Sequence, residues 1–165
     1  DHGRTIAFGH GLGCHVCLLR PKSTGEVTLN SNNAFDSPKI DPKFFSERED
    51  MDVMIKGYRK MMEIMDAEPL RPFTRKVQDP VDINSDADIE EAMRARADTV
   101  YHPVGTCKMG SDDMSVVNHE LKVHALENVR VVDASIMPTL VGGNTNAPTI
   151  MIGEKAADMI KSSWA

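Results

Sequence analysis

The chain lacks three things, and each absence closes a functional class. It has no excess of positive charge: 19 Lys and Arg stand against 25 Asp and Glu, a formal net charge of −6. Gripping a nucleic-acid backbone needs a basic face, so nucleic acid is not an expected partner. It has no apolar run near the ~20 residues that a membrane-spanning helix requires. Its cysteines, Cys14, Cys17 and Cys107, number three. An odd number cannot pair fully within the chain, and the spacing is no secreted disulfide framework. A reducing, cytoplasmic compartment is the expectation. The chain starts at Asp1 without a methionine and reads as a piece of something longer, so a missing targeting segment carries no weight.

What is present suits a folded domain. The 165 residues are 41% hydrophobic and 27% charged, a balance that argues against disorder. Two polar, proline-rich connections stand out, Ser31 to Pro42 and Pro69 to Asp86. His15–Leu19 and Glu26–Leu29 read as strands joined by a turn at Ser23-Thr24-Gly25, hence an antiparallel hairpin with Val27 and Leu29 half-buried. Ser46-Glu47-Arg48-Glu49 has the form of a capping box. Behind it Met51, Met54, Ile55, Tyr58, Met61, Met62 and Met65 recur at helical spacing, one buried face that Pro69 terminates. A methionine stripe fills an irregular core more often than it forms a binding groove. A second helix is expected from Ser85 to about Ala97, with Ile89, Ala92, Met93 and Ala97 inward. Val129–Val132 reads as a strand. A last helix follows Pro148, with Ile152, Ala156, Met159 and Ile160 on one face and Gly153 marking a close packing contact.

Three segments could carry chemistry. Gly9–Cys17 alternates glycines as a dinucleotide loop does, but lacks the closing glycine and a following helix. Its Cys14 and Cys17 have Cys-x-x-Cys spacing, yet no second pair completes a zinc site, and in a strand they would face opposite sides. It reads as a glycine-rich bend, with a metal-binding module of His10, Cys14, His15 and Cys17 as an alternative. The second segment is Tyr101-His102-Pro103-Val104-Gly105-Thr106-Cys107-Lys108-Met109-Gly110. The proline keeps His102 out of a helix, and the glycines permit tight turns on either side of 106–109. An imidazole on a fixed backbone suits a general base, because it titrates near neutral pH. Cys107 has no base beside it and reads as a buried neutral thiol. In the third segment a strand ends at Asp133, and Gly142-Gly143-Asn144-Thr145-Asn146-Ala147-Pro148 then enters a helix. The free amides of that N-terminus would stabilise an electron-rich ligand edge.

These residues resemble a known family. The strings HPVGTCKMG, NVRVVDASIMP and GGNTNAPTIMIGEKAADMI, with LRPKSTGEVTLNS and PKIDPKFFS upstream, are similar to the C-terminal signature of the glucose–methanol–choline (GMC) oxidoreductases. The resemblance spans nearly the whole chain. It implies an α+β fold: an antiparallel-sheet substrate domain with flanking helices, and a C-terminal strand–loop–helix tail belonging to an FAD-binding domain. Residues 1–98 would be the substrate-domain portion and 99–165 the return segment that carries active-site residues. The family's N-terminal half, with its dinucleotide loop, would be a missing partner, leaving the 165 residues alone without stable FAD. A non-catalytic excised fragment is therefore the other alternative.

The resemblance also implies roles. His102 would take the hydroxyl proton of an alcohol as hydride leaves for FAD. Asn144, an amide that cannot accept a full proton, would orient the substrate oxygen. Asp133 and Ala134 match a cofactor-contacting strand end, and Thr145 and Asn146 match positions near the flavin pyrimidine edge. The substrate would be a primary alcohol, aliphatic or choline-like, with electrons passed on to an acceptor other than oxygen. Aromatics are 5% of the chain, which favours an uncharged alcohol over one needing an aromatic cage. The resemblance leaves room for membrane association of the parent.

Overall fold

A computed structural model describes residues 10–164. Its regular elements are β1 (Glu26–Thr28), β2 (Lys39–Asp41), α1 (Arg48–Met65), α2 (Asp86–Arg96) and α3 (Asn146–Ser162), with 3-10 turns at Glu68–Phe73 and Ala134–Ile136. Among the described residues no helix is long and apolar enough to cross a membrane. The strands pair as one antiparallel two-stranded sheet.

That sheet corrects the expected hairpin. Residues 15–19 form no strand, and β1 pairs with β2 inside the polar connection. Gly25 shows why the chain can pass so close there: a Cβ on it would lie 2.3 Å from the Asp41 carbonyl oxygen and 2.6 Å from Pro42 backbone atoms. Val27 and Leu29 are exposed, Leu29 at 87%. Alternation is a sound signal only where a sheet face is covered, and these short strands have no covered face.

The chain divides into two compact units. One comprises residues up to Gly25 with Ile40–Asp98; the other comprises Glu26–Lys39 with Thr99 onward. In the first unit α1 and α2 pack through Met51, Ile55, Ile89 and Met93, with Phe45, Met54, Tyr58 and Val81 around them. The helical stripe is present as expected: Met61, Met62 and Met65 are half-buried behind the fully covered Met51 and Ile55. The capping box is not. Glu47, not Ser46, stands at the N-cap with no side-chain cap, and the Ser46 amide that Glu49 was expected to reach donates to the Lys43 carbonyl at 3.1 Å. Asp50, 3% exposed, accepts from the Lys22 amide at 2.9 Å and the Ser23 amide at 2.8 Å. Burial alone would raise its carboxyl, but these amides and the Ser23 hydroxyl hold it below its ordinary value. Satisfying a buried carboxylate with three donors makes it a strong tether. Arg48 pairs with Asp52 on its own helix at 2.8 Å and joins the two helices by reaching Glu90 at 2.5 Å.

α2 follows its sequence signals closely. Ser85 caps it by accepting from the Asp88 amide at 3.2 Å. Asp86 and Asp88 occupy its first turn and Arg94 and Arg96 its last, as the helix dipole favours. Ala97 is exposed rather than inward, because the helix ends at Arg96.

The second unit surrounds Val117, Leu121, Ile136, Met137, Ile152 and Ala156. α3 begins at Asn146, so Pro148 lies within its first turn, where its missing amide costs nothing. Ile152 and Ala156 point inward, while Ile160 is 37% exposed. Gly153 touches nothing: a Cβ would find no atom within 4 Å, which corrects the expected close contact. The expected strand at 129–132 is also absent. Single bridges, Met109 with Val117, Val117 with Val123 and Lys122 with Arg130, replace it. Turns break the ladder: Leu121 (φ 64°) and Asn128 (φ 58°) are left-handed, and Asn118 Oδ1 accepts from the Glu120 and Lys122 amides.

Candidate active site

Of the three chemistry-bearing segments, the first contributes no ligand set. Gly9 lies outside the described residues. Cys14 and Cys17 are exposed, and among the described residues no three His, Cys, Asp or Glu side chains gather as metal ligands. The other two segments meet.

His102 sits on irregular backbone. Just before it Val100 (φ 52°) and Tyr101 (φ 61°) are both left-handed, a conformation costly for a β-branched residue. Thr99 holds this turn: its carbonyl accepts from the His102 amide at 3.2 Å and its hydroxyl from the Tyr101 amide at 3.1 Å. Gly105 takes φ 88°, with the Met137 carbonyl oxygen 3.4 Å from where a Cβ would stand. The chain then runs alongside the 3-10 turn. The Cys107 amide donates to the Ser135 carbonyl at 3.0 Å and the Met109 amide to the Ile136 carbonyl at 2.8 Å. Cys107 itself is a half-buried free thiol, less covered than expected.

Asp133 and Ala134 stand at that same turn and not at a strand end. Asp133 caps it, its Oδ1 accepting from the Ser135 amide at 2.7 Å. Ala134 is half-buried against the second unit's core, and the turn packs against α3. Among the described residues no hydrogen bond joins Asp133 or Ala134 to His102.

Asn144, Thr145 and Asn146 lead into α3. Asn144 and Asn146 are exposed. Thr145 is the N-cap, yet its side chain caps nothing. It is 7% exposed, and its hydroxyl lies 2.9 Å from His102 Nδ1. A contact between residues 43 positions apart has no signature in sequence spacing. With the cap side chain engaged elsewhere, the amides of Asn146 and Ala147 have no intrahelical acceptor. Exposed amides at the positive end of a 17-residue helix fit the electron-rich edge of a flavin ring, and a half-buried imidazole tied to the same helix start fits a proton acceptor beside it.

Below this region Asp112 organises the chain after Gly110. It receives the Lys108 ammonium at 2.9 Å, the Ser115 hydroxyl at 2.9 Å and the Met114 amide at 3.0 Å. These bonds, Lys108 first, lower its carboxyl to about 2.

A family model described as GMC oxidoreductase matches residues 21–153. The chain is 52% identical over 161 residues to an alcohol dehydrogenase (acceptor) of Pseudomonas putida, covering 97% of this chain and 29% of the relative. It is 46% identical over 164 residues to a mitochondrial choline dehydrogenase of Mus musculus, covering 98% of this chain and 28% of the relative. Among solved structures, formate oxidase of Aspergillus oryzae RIB40, studied for FAD modification, superposes with a TM-score of 0.82 at 34% identity, over 88% of this chain and 26% of that one. Pyridoxine 4-oxidase from Mesorbium loti gives 0.75 at 31% identity, over 85% and 28%.

Proposed function

Because the chain belongs to the GMC oxidoreductase family, we propose that it carries the C-terminal portion of an FAD-dependent enzyme that oxidises a primary alcohol to the aldehyde. In this reading residues 1–98 belong to a substrate domain, and 99–165 return to the FAD-binding domain. The relatives named above are more than three times as long, so the rest of the cofactor site lies on other residues of the parent. The observation that carries the reading is the joining of His102 to the uncapped start of α3 through Thr145.

When bound, the flavin supplies the hydride acceptor. This chain's residues do the rest. His102 takes the hydroxyl proton at Nε2, the nitrogen left open by the Thr145 contact, as the carbinol carbon gives up its hydride. Asn144 orients the substrate oxygen by hydrogen bonds. Asn146 and Ala147 present amides that would stabilise negative charge on a flavin held there. Asp133 and Ala134, on the 3-10 turn, would help hold the cofactor. The acceptor of the electrons is a species other than oxygen. The substrate is an aliphatic or choline-like primary alcohol; the low aromatic content favours an uncharged one.

Stopped-flow reduction of the full-length flavoprotein by its alcohol tests this. General-base assistance is worth ~10²–10⁴-fold, so His102→Ala slows reduction by about that factor while FAD stays bound. High pH partly rescues it, because a pre-ionised alcohol needs no base. Asn144→Ala loses less and is not rescued. A His102→Ala enzyme that reduces at the wild-type rate refutes the assignment.

A further inference from the structure

An imidazole works as a base only if its outer nitrogen is bare, and in the neutral ring one nitrogen always carries hydrogen. Whatever binds Nδ1 therefore decides whether Nε2 is available. Here that partner is the Thr145 hydroxyl at 2.9 Å. We propose that Thr145 is a positioning residue: its oxygen accepts from Nδ1–H, holds His102 in the tautomer with Nε2 bare, and keeps that acceptor in place when the ring becomes a cation. The inference rests on His102 acting as the base.

Both ends of the contact are held rigidly. The Thr145 carbonyl accepts from the Thr149 amide at 3.0 Å and the Thr149 hydroxyl at 2.7 Å, which locks Thr145 to the first turn of α3. Its β-branched side chain has little χ1 freedom, and at 7% exposure little water competes for its oxygen. On the other side, Thr99 pins the left-handed turn that delivers His102. A hydroxyl suits the task because its oxygen accepts from Nδ1–H both before the proton arrives and after. Valine has the same shape and no such oxygen. Thr145 thus acts through His102, a role distinct from the flavin-edge contact that the family pattern suggests for its position.

The test uses the full-length holoenzyme, labelled with ¹⁵N only at histidine, as wild type, Thr145→Val, Thr145→Ser and His102→Ala; the last identifies the His102 signals by their loss. Thr145→Val is expected to slow flavin reduction at saturating alcohol about tenfold, one hydrogen bond's worth, with KM little changed. Its His102 ring signals shift from the Nδ1–H tautomer toward a mixture. Thr145→Ser keeps the oxygen and stays near wild type in both rate and ring signals. If Thr145→Val matches wild type in both while His102→Ala is slow, the positioning role is wrong and the base assignment stands. Equal losses in the Ser and Val variants also overturn it, since then the hydroxyl is not what matters. A fast His102→Ala enzyme removes the base assignment, and with it any part for Thr145 in the reaction.

Discussion

The two units are built by different means. The first rests on a helix pair whose four central side chains, Met51, Ile55, Ile89 and Met93, recur at helical spacing on two continuous segments. The second has one helix, and the rest of its core hangs on turns and single bridges between 102 and 137. Regular elements satisfy their own backbone groups. Irregular segments must find partners elsewhere, and in finding them they bring distant residues together. The candidate chemistry sits in the irregular unit for that reason: His102, Asp133 and Thr145 occupy turn or cap positions, none within a continuous hydrophobic stripe.

The sharpest way to break this comparison is to charge the regular core. Ile89 is fully buried between α1 and α2, so Ile89→Asp leaves an unpaired buried charge costing roughly 3–5 kcal/mol. Hydrogen exchange is expected to show α1 and α2 amides losing protection together. Intact protection in both helices would refute the packing.

Two glycines sharpen the comparison at lower energies. Gly25→Ala drives a Cβ into backbone at Asp41 and Pro42, which only a chain shift relieves, at about 1–3 kcal/mol. Gly153→Ala fills open space within α3 and removes a helix-weakening residue, a gain of about 0.5–1 kcal/mol. Chemical denaturation of both variants should move in opposite directions. A loss at Gly153 would mean that an unseen surface packs there.

The smallest effect is a dependence on acid. The Asp112 carboxyl is lowered from 3.8 to about 2 by Lys108, Ser115 and Met114. Its stabilisation is fully present above pH ~3.8 and is lost as pH falls through about 2, where the unfolded state binds the proton first. Asp112→Asn should flatten the stability profile in that window by lowering stability above it toward the acid value, a small loss because the group is exposed and its ion pair is screened by water. An unaltered acid limb would show that Asp112 does not organise the loop. Asp50, also lowered, contributes with the same sign in the first unit and is untouched by this substitution.

Some of this was legible beforehand. Met51 to Met65 and Ile89 to Met93 declare helices because a 3.6-residue period is a local property. Ser85 declares α2's start because its cap bond spans three residues. The family strings pointed to His102 and the loop before α3 as candidates. The capping box at Ser46 misled because the helix starts one residue later, with Glu47 at the N-cap, and the Ser46 amide that Glu49 would reach donates to the Lys43 carbonyl instead. Val129–Val132 misled because β-branched content marks compatibility with a strand and not the presence of a partner.

The amino-acid sequence by itself determined the three α-helices, the centres of their buried faces and the family, since each follows from neighbours within a few turns or from ordered strings. Tertiary structure alone decided that β1 pairs with β2, that Asp50 tethers residues 22–23, and that the Thr145 hydroxyl meets His102. Each of these is a contact across more than ten residues. Which donor meets which acceptor at that range depends on how the chain closes its loops, and no local pattern encodes it.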